Sequence, residues 1–267
     1  MSNRISQTFA ENRKNGKKTF IAFLMGGDPC IETTEKLIIA MYEAGVDLFE
    51  IGIPFSDPAA DGIVIQAASV RALSKGCTAD DLFSMVKRLR EKIPAPIAFL
   101  TYANSIFAYG KDRFMQNCAS AGIDGVIVPD IPYEEKTELA DVCEKHGIAQ
   151  ISIIAPTSND RIEKIALASE GFLYCVSTLG VTGIRDEIRT NMTEIISKVR
   201  AVSDIPCAVG FGISTPEQAR DMAQVSDGAI IGTAIVKIIG DYGQDSVEPM
   251  RQYIARVRDA LDECIEE

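Results

Sequence analysis

Ala44-Gly45-Val46-Asp47-Leu48-Phe49-Glu50-Ile51-Gly52-Ile53 carries the joint that decides the fold, a glycine just past a helical pattern and then a continuous apolar run. Glycine in that place takes the left-handed, helix-ending conformation without Cβ strain. The same joint recurs in Ala121-Gly122-Ile123-Asp124 and His146-Gly147-Ile148-Ala149. Working outward, short runs rich in Val, Ile and Phe lie at Thr19–Met25, Asp47–Ile53, Pro96–Thr101, Asp124–Pro129, Ala149–Ala155, Phe172–Ser177, Pro206–Phe211 and Gly228–Gly232. They are continuous rather than alternating, as strands buried on both faces of a parallel sheet read.

Helical patterns separate the runs, at Thr34–Glu43, Asp80–Lys92, Lys111–Ser120, Glu134–Lys145, Asn159–Ala168 and Pro216–Gln224. Alternating strand and helix implies right-handed crossovers and an α/β fold. Eight units in 267 residues fit a closed (β/α)8 TIM barrel better than an open doubly wound sheet. No Ser/Gly/Pro-rich linker divides the chain, so residues 1–267 read as one barrel domain, with Ile5–Glu11 a helix closing its bottom. Two intervals are irregular: Pro54–Ala68 precedes the helix expected after the second run, and Thr178–Thr190, after the sixth, has no clear period. Both follow strand C-termini, the barrel face where active sites sit, and long loops in compact domains are usually functional.

Composition narrows the chemistry. Lys+Arg number 27 against 38 Asp+Glu, a net charge of −11 that argues against a nucleic-acid binder. The single His excludes multi-His metal centres and His-His acid/base pairs. Seven Cys with no C-x-x-C pair read as reduced thiols of a cytoplasmic protein. The N-terminal fifteen residues have neither a signal-peptide apolar region nor a membrane span. No run contains a lysine, against a Schiff-base aldolase, and no G-x-S-x-G elbow occurs. His146 ends a helix, where a basic residue meets the negative end of the dipole.

Carboxylates remain. Glu50 lies in an otherwise apolar strand, facing the side shared by Leu48 and Gly52. Burying its charge there is costly, so its pKa is expected to rise toward neutrality and suit it to proton exchange. A paired or exposed Glu is the plainer alternative. Asp28, Asp57, Asp61 and Asp130 follow strand ends. Asp28-Pro29 and Asp57-Pro58 are turn formers, Asp130 could orient a loop, and Asp61 reads either as a catalytic carboxylate or as a helix N-cap. Glycines follow the last strands, in Gly210-Phe211-Gly212-Ile213-Ser214 and Gly232-Thr233-Ala234, with Gly183 in the loop after the sixth run. Backbone N–H groups there, with a short helix at Ala234–Ile239, form an expected phosphate site needing no cluster of basic side chains.

The segment Phe49-Glu50-Ile51-Gly52-Ile53-Pro54-Phe55-Ser56-Asp57-Pro58-Ala59-Ala60-Asp61-Gly62 closely resembles the signature of the tryptophan synthase alpha chain family. Gly27-Asp28-Pro29, Tyr102-Ala103-Asn104, Val128-Pro129-Asp130-Ile131-Pro132, Gly180-Val181-Thr182-Gly183 and the two glycine motifs match in family order, from Phe20 to Ile239. The glycine motifs are shared with other phosphate-binding barrels.

The resemblance implies cleavage of indole-3-glycerol phosphate to indole and glyceraldehyde 3-phosphate. It also implies a beta-chain partner in an alpha-beta heterotetramer, which takes the indole through a tunnel and carries the pyridoxal phosphate (PLP); no cofactor or metal is expected on this chain. On that match Glu50 falls on the family's general acid/base and Asp61 on the carboxylate facing the indole N–H. Phe23, Leu100, Ile127 and Tyr174 fall on the indole pocket, Thr182 on the lid loop, and Gly183, Gly212, Gly232 and Thr233 on the phosphate cradle. Pro54, Asp57, Pro58 and Asn104 fall on the surface that meets the beta chain. Phe49, Ala59 and Ile63 depart from the usual pattern, as does Thr178, where some members carry a basic residue. The smaller Ala59 and the absence of proline at 63 loosen the second loop, which bears on coupling to the partner more than on the chemistry. Alternatives are a free-standing indole-glycerol-phosphate lyase, a phosphosugar isomerase on the same scaffold, and a catalytically silent subunit that binds substrate to activate its partner.

Overall fold

The computed structural model describes residues 3–177, 185–210 and 212–264. Along the chain run α1 (Arg4–Lys14), β1 (Thr19–Met25), α2 (Ile31–Glu43), β2 (Leu48–Gly52), α3 (Ile63–Ser74), α4 (Ala79–Leu89) and β3 (Ile97–Leu100). Then follow α5 (Ala103–Tyr109), α6 (Lys111–Ala121), β4 (Gly125–Ile127), α7 (Thr137–His146), β5 (Ala149–Ile154), α8 (Ile162–Leu167) and β6 (Leu173–Val176). The chain continues through α9 (Arg185–Arg200), β7 (Cys207–Gly210), α10 (Pro216–Val225), β8 (Gly228–Ile231), α11 (Thr233–Tyr242) and α12 (Val247–Asp262). The strands pair in parallel, in sequence order, and β8 returns to β1 to close the barrel. Each expected apolar run holds one strand.

Residues of one parity on every strand fill the barrel interior, among them Ile21, Leu48, Ala98, Ile127, Ile151, Phe172, Ala208 and Ile230. The other parity packs beneath the helices in the larger outer core. This double burial is why the strands carry no polar alternation. Gly122 and Gly147 end α6 and α7 in the left-handed conformation, with φ of +87° and +69°. There a side chain would strain against the following carbonyl.

The expected N-terminal helix is α1. The Asn3 side chain accepts the Ile5 N–H at 2.9 Å as its cap, and Arg4 pairs with Asp124 at 2.7 Å. Ile5 and Phe9 point up into the barrel, Phe9 against Phe172 with ring centroids 5.5 Å apart.

Four helices lie outside the patterns read from sequence. α3 begins at Ile63, inside the stretch taken as inserted loop, and α9 begins at Arg185, inside the stretch taken to end at Thr190. Neither α5 nor α12 was expected either. Conversely, the pattern at Asn159–Ala168 yields only the short α8 after a 3₁₀ turn. There the Ser158 hydroxyl accepts the Ala155 N–H at 3.1 Å, and a side chain that bonds its own backbone competes with helix formation.

Candidate active site

Glu50 sits in the middle of β2, opposite Phe23 of β1 and Ala98 of β3, on the interior face between Leu48 and Gly52. It is fully buried, and among the described residues neither carboxylate oxygen has a hydrogen-bond partner. Among the described residues no cation compensates it, and burial pushes its pKa up to about 8. Removing water disfavours the charged form, so near neutrality Glu50 is an acid that can give up and regain its proton. Among the described residues Glu50 is thus neither paired nor exposed.

Around it the four pocket residues read from the resemblance converge at the C-terminal end of the barrel. Phe23 lies close against two glycines. A Cβ on Gly52 would stand 2.9 Å from its ring, and one on Gly232 3.1 Å. Leu100, Ile127 and Tyr174 share the interior face with Ile153, which the sequence reading missed although strand parity marks it. Tyr174 leans over Gly210, where a Cβ would meet its hydroxyl at 2.6 Å. Burial first, and the nearby Glu50 second, raise the Tyr174 phenol's pKa well above normal.

Asp61 is half-buried at the end of the irregular segment after β2. It is not a helix cap: Gly62 occupies the N-cap of α3, with no side-chain capping bond. Burial raises its pKa, and a hydrogen bond from the Tyr102 hydroxyl works in the opposite direction. Tyr102, buried just beyond β3, also accepts the Ala60 N–H at 3.0 Å and stacks on Phe55 with centroids 5.3 Å apart. Its own pKa is pushed up to about 12, by burial first and further by Asp61. Asp130 accepts the Ala103 N–H through both oxygens, at 2.9 and 3.2 Å, and so takes the loop-orienting role. The role of Tyr102 has no local sequence signal, because the two loops it joins meet only once the barrel closes.

The expected anion cradle lies at the adjoining sector. Gly232 is the N-cap residue of α11 and Thr233 its first residue, again with no side-chain cap on the helix N-terminus. Gly212 is exposed, with φ of +78° and open space where a Cβ would be. Thr182 and Gly183 lie outside the described residues, as do Phe211 and the side chains of the lid stretch from 178 to 190. At the rim, Asp57 and Asn104 are exposed and Pro58 half-buried, while Pro54 is buried. Ile63 and Phe107 expose apolar side chains, 84% and 45% accessible, at the starts of α3 and the end of α5. His146 contacts the exposed Asp112 at 3.0 Å and takes no part in the site. Among the described residues no cluster of His, Cys, Asp and Glu is placed to hold a metal, and no helix is long and apolar enough to cross a membrane.

The model of the family described as "Tryptophan synthase alpha chain" matches residues 9–265. A tryptophan synthase alpha chain of Caldanaerobacter subterraneus subsp. tengcongensis is 44% identical over 261 residues, 97% of this chain and 100% of the relative. One from Lactiplantibacillus plantarum is 47% identical over 246 residues, covering 92% and 93%. Among solved structures, tryptophan synthase subunit alpha from Legionella pneumophila superposes with a TM-score of 0.91 at 34% identity, covering 98% of this chain and all of that one. A chain of Mycobacterium tuberculosis tryptophan synthase gives 0.87 at 30% identity, covering 97% and 100%.

Proposed function

Since this chain belongs to the tryptophan synthase alpha chain family, we propose that it cleaves indole-3-glycerol phosphate to indole and glyceraldehyde 3-phosphate. It acts in the cytoplasm as a carbon–carbon lyase, alongside a beta chain that holds PLP and consumes the indole. The observation that carries the reading is Glu50, a fully buried carboxyl whose oxygens have no partner among the described residues, on the interior face shared by Leu100, Ile127 and Tyr174, with Asp61 half-buried in the loop that follows its strand.

The chemistry follows from these groups. Protonated Glu50 delivers its proton to indole C3, which places positive charge on the ring nitrogen. Asp61, held by Tyr102, accepts the ring N–H and stabilises that charge. The Glu50 carboxylate then removes the proton of the side-chain hydroxyl next to the ring. As the C–C bond breaks, its electron pair returns to the ring and neutralises the nitrogen, the alkoxide carbon becomes the aldehyde, and Glu50 is left protonated for the next cycle. A group with a pKa of about 8 serves both transfers near neutral pH. The protonated indole ring is itself the electron sink. Phe23, Leu100, Ile127 and Tyr174 supply the apolar slot for the ring, with Gly212, Gly232 and Thr233 taking the phosphate through backbone N–H groups.

The test is release of indole from indole-3-glycerol phosphate by the purified chain, with and without a beta chain. Release that rises with the partner supports the proposal. Full activity alone makes it a free-standing lyase. No release in either condition removes the lyase reading and leaves a silent, substrate-binding subunit.

A further inference from the structure

We propose that Asp28 and Arg71 are positioning residues: the ion pair between buried Asp28 and half-buried Arg71 fixes helix α3, and with it Asp61, against the helix α11 assigned above to the anion. The proposal rests on the role given above to Asp61. Asp28, in the turn after β1, is fully buried, and Arg71 of α3 grips it with two bonds, Nε to Oδ1 at 2.8 Å and Nη2 to Oδ2 at 2.7 Å. A carboxylate that deep has no water to fall back on, so the guanidinium is its sole compensation among the described residues. The bidentate form also fixes direction, which a point charge does not.

Beyond that pair α3 is held by modest contacts. It fully buries only Ala68, Ser69 and Ala72, with Val64 and Ile65 partly buried against the core, while Ile63, Val70 and Leu73 turn large apolar side chains outward, 84%, 65% and 38% accessible. Small side chains supply modest burial energy, and Gly62 at the N-cap supplies no capping bond. Arg71 therefore does the orienting. On its other side lies Gly240 of α11, where a Cβ would stand 3.4 Å from Nη2 and 3.6 Å from Cζ. One guanidinium thus spaces the helix that begins beside Asp61 from the helix whose first turn faces the phosphate.

The distances make this matter. Arg71 lies eight residues into the chain from Ile63, about 12 Å along the axis at ~1.5 Å per residue. A tilt of about 5° pivoting at Arg71 then moves the start of α3 by about 1 Å, and a displacement of that size costs on the order of a hundredfold in rate when it misplaces a reacting group.

The experiment compares wild type with Arg71→Lys, Arg71→Met and the charge-neutral pair Asp28→Asn/Arg71→Met. It reads kcat and KM for indole release, and hydrogen exchange of the amides from 60 to 66. In the neutral pair kcat is expected to fall by about tenfold or more with KM changed less than about threefold, and amides 60–66 to exchange about tenfold faster. Arg71→Lys, which keeps the charge, should regain part of the kcat that Arg71→Met loses. A folded neutral pair with kcat within about twofold of wild type overturns the proposal, as does unchanged exchange at 60–66. Should the neutral pair not fold, Arg71→Lys carries the same test, and wild-type kcat and exchange in it overturn the proposal. If wild type itself releases no indole, the lyase reading fails, whereas faster exchange in the variants still upholds the clamp on α3.

Discussion

Tyr102 and Asp61 meet across two loops: the phenol hydroxyl donates to the carboxylate while it accepts the Ala60 N–H at 3.0 Å. One side chain thus fixes both the Asp61 side chain and the backbone beside it. Tyr102→Phe removes both bonds and keeps the ring stacked on Phe55. We expect kcat to fall about tenfold and stability by about 2 kcal/mol, at about 1 kcal/mol for each ordinary hydrogen bond. The hydroxyl is what opposes the burial-raised pKa of Asp61, so its loss moves that pKa further up. The acid limb of the kcat profile, read from pH 5 to 8, should shift to higher pH. A profile superposable on wild type would detach Tyr102 from Asp61.

Glu50→Gln should reduce indole release by at least ~10²-fold, the lower end of what a general acid/base contributes, while leaving the phosphate cradle intact. Retention of wild-type turnover would remove Glu50 from the proton path.

The same substitution has a stability signature. The folded-state pKa of Glu50 is raised from 4.5 to about 8, so the folded chain binds more protons than the unfolded chain between those values. Its contribution is fully present below about 4.5 and is lost as pH rises through about 8. At ~1.4 kcal/mol per pK unit, wild type should lose about 5 kcal/mol relative to Glu50→Gln across that window. Urea unfolding of both proteins at pH 5 and pH 8.5 measures the difference. Parallel curves would mean that Glu50 titrates as an ordinary carboxyl.

Gly232→Val places side-chain atoms where a Cβ alone would already stand 3.1 Å from the Phe23 ring, at the mouth of the anion cradle. Phosphate is held alike in substrate and transition state, so the loss should appear as KM, about tenfold higher, with kcat within about threefold. A fall in kcat at constant KM would place the phosphate elsewhere.

His146→Ala removes the chain's one imidazole and a contact to an exposed carboxylate. Turnover within about twofold of wild type is expected, because surface ion pairs contribute little and the proposed proton path runs through Glu50. Loss of activity would require a histidine in the mechanism.

The barrel was legible because its strands are buried on both faces and so stand out as unbroken apolar runs. The helices were less so. α3 reads Ile63-Val64-Ile65-Gln66-Ala67-Ala68-Ser69-Val70-Arg71-Ala72-Leu73-Ser74, its large apolar residues spread around the helix rather than gathered on one face, and its start is a glycine that makes no capping bond. Ser158 illustrates the reverse, a helical pattern cut short by a side chain that bonds the backbone. Within the site, Glu50 was legible as a charge in an apolar strand. Asp61 was not resolved by spacing alone, since a carboxylate ahead of a helix is also what a cap looks like. Tyr102 and Arg71 were invisible for a different reason. Each acts on a residue in another loop, over a separation that only barrel closure removes.

The helix at the base, α1, has an outcome for traffic. With Ile5 and Phe9 seated in the floor, the barrel is a cup rather than a pipe. Whatever reaches Glu50 comes over the rim, and both fragments of a cleaved substrate must depart over it too. On the proposed reaction, a beta chain docked on that rim would govern arrival and departure through a single doorway, and the order in which two products leave would belong to the partner as much as to the barrel.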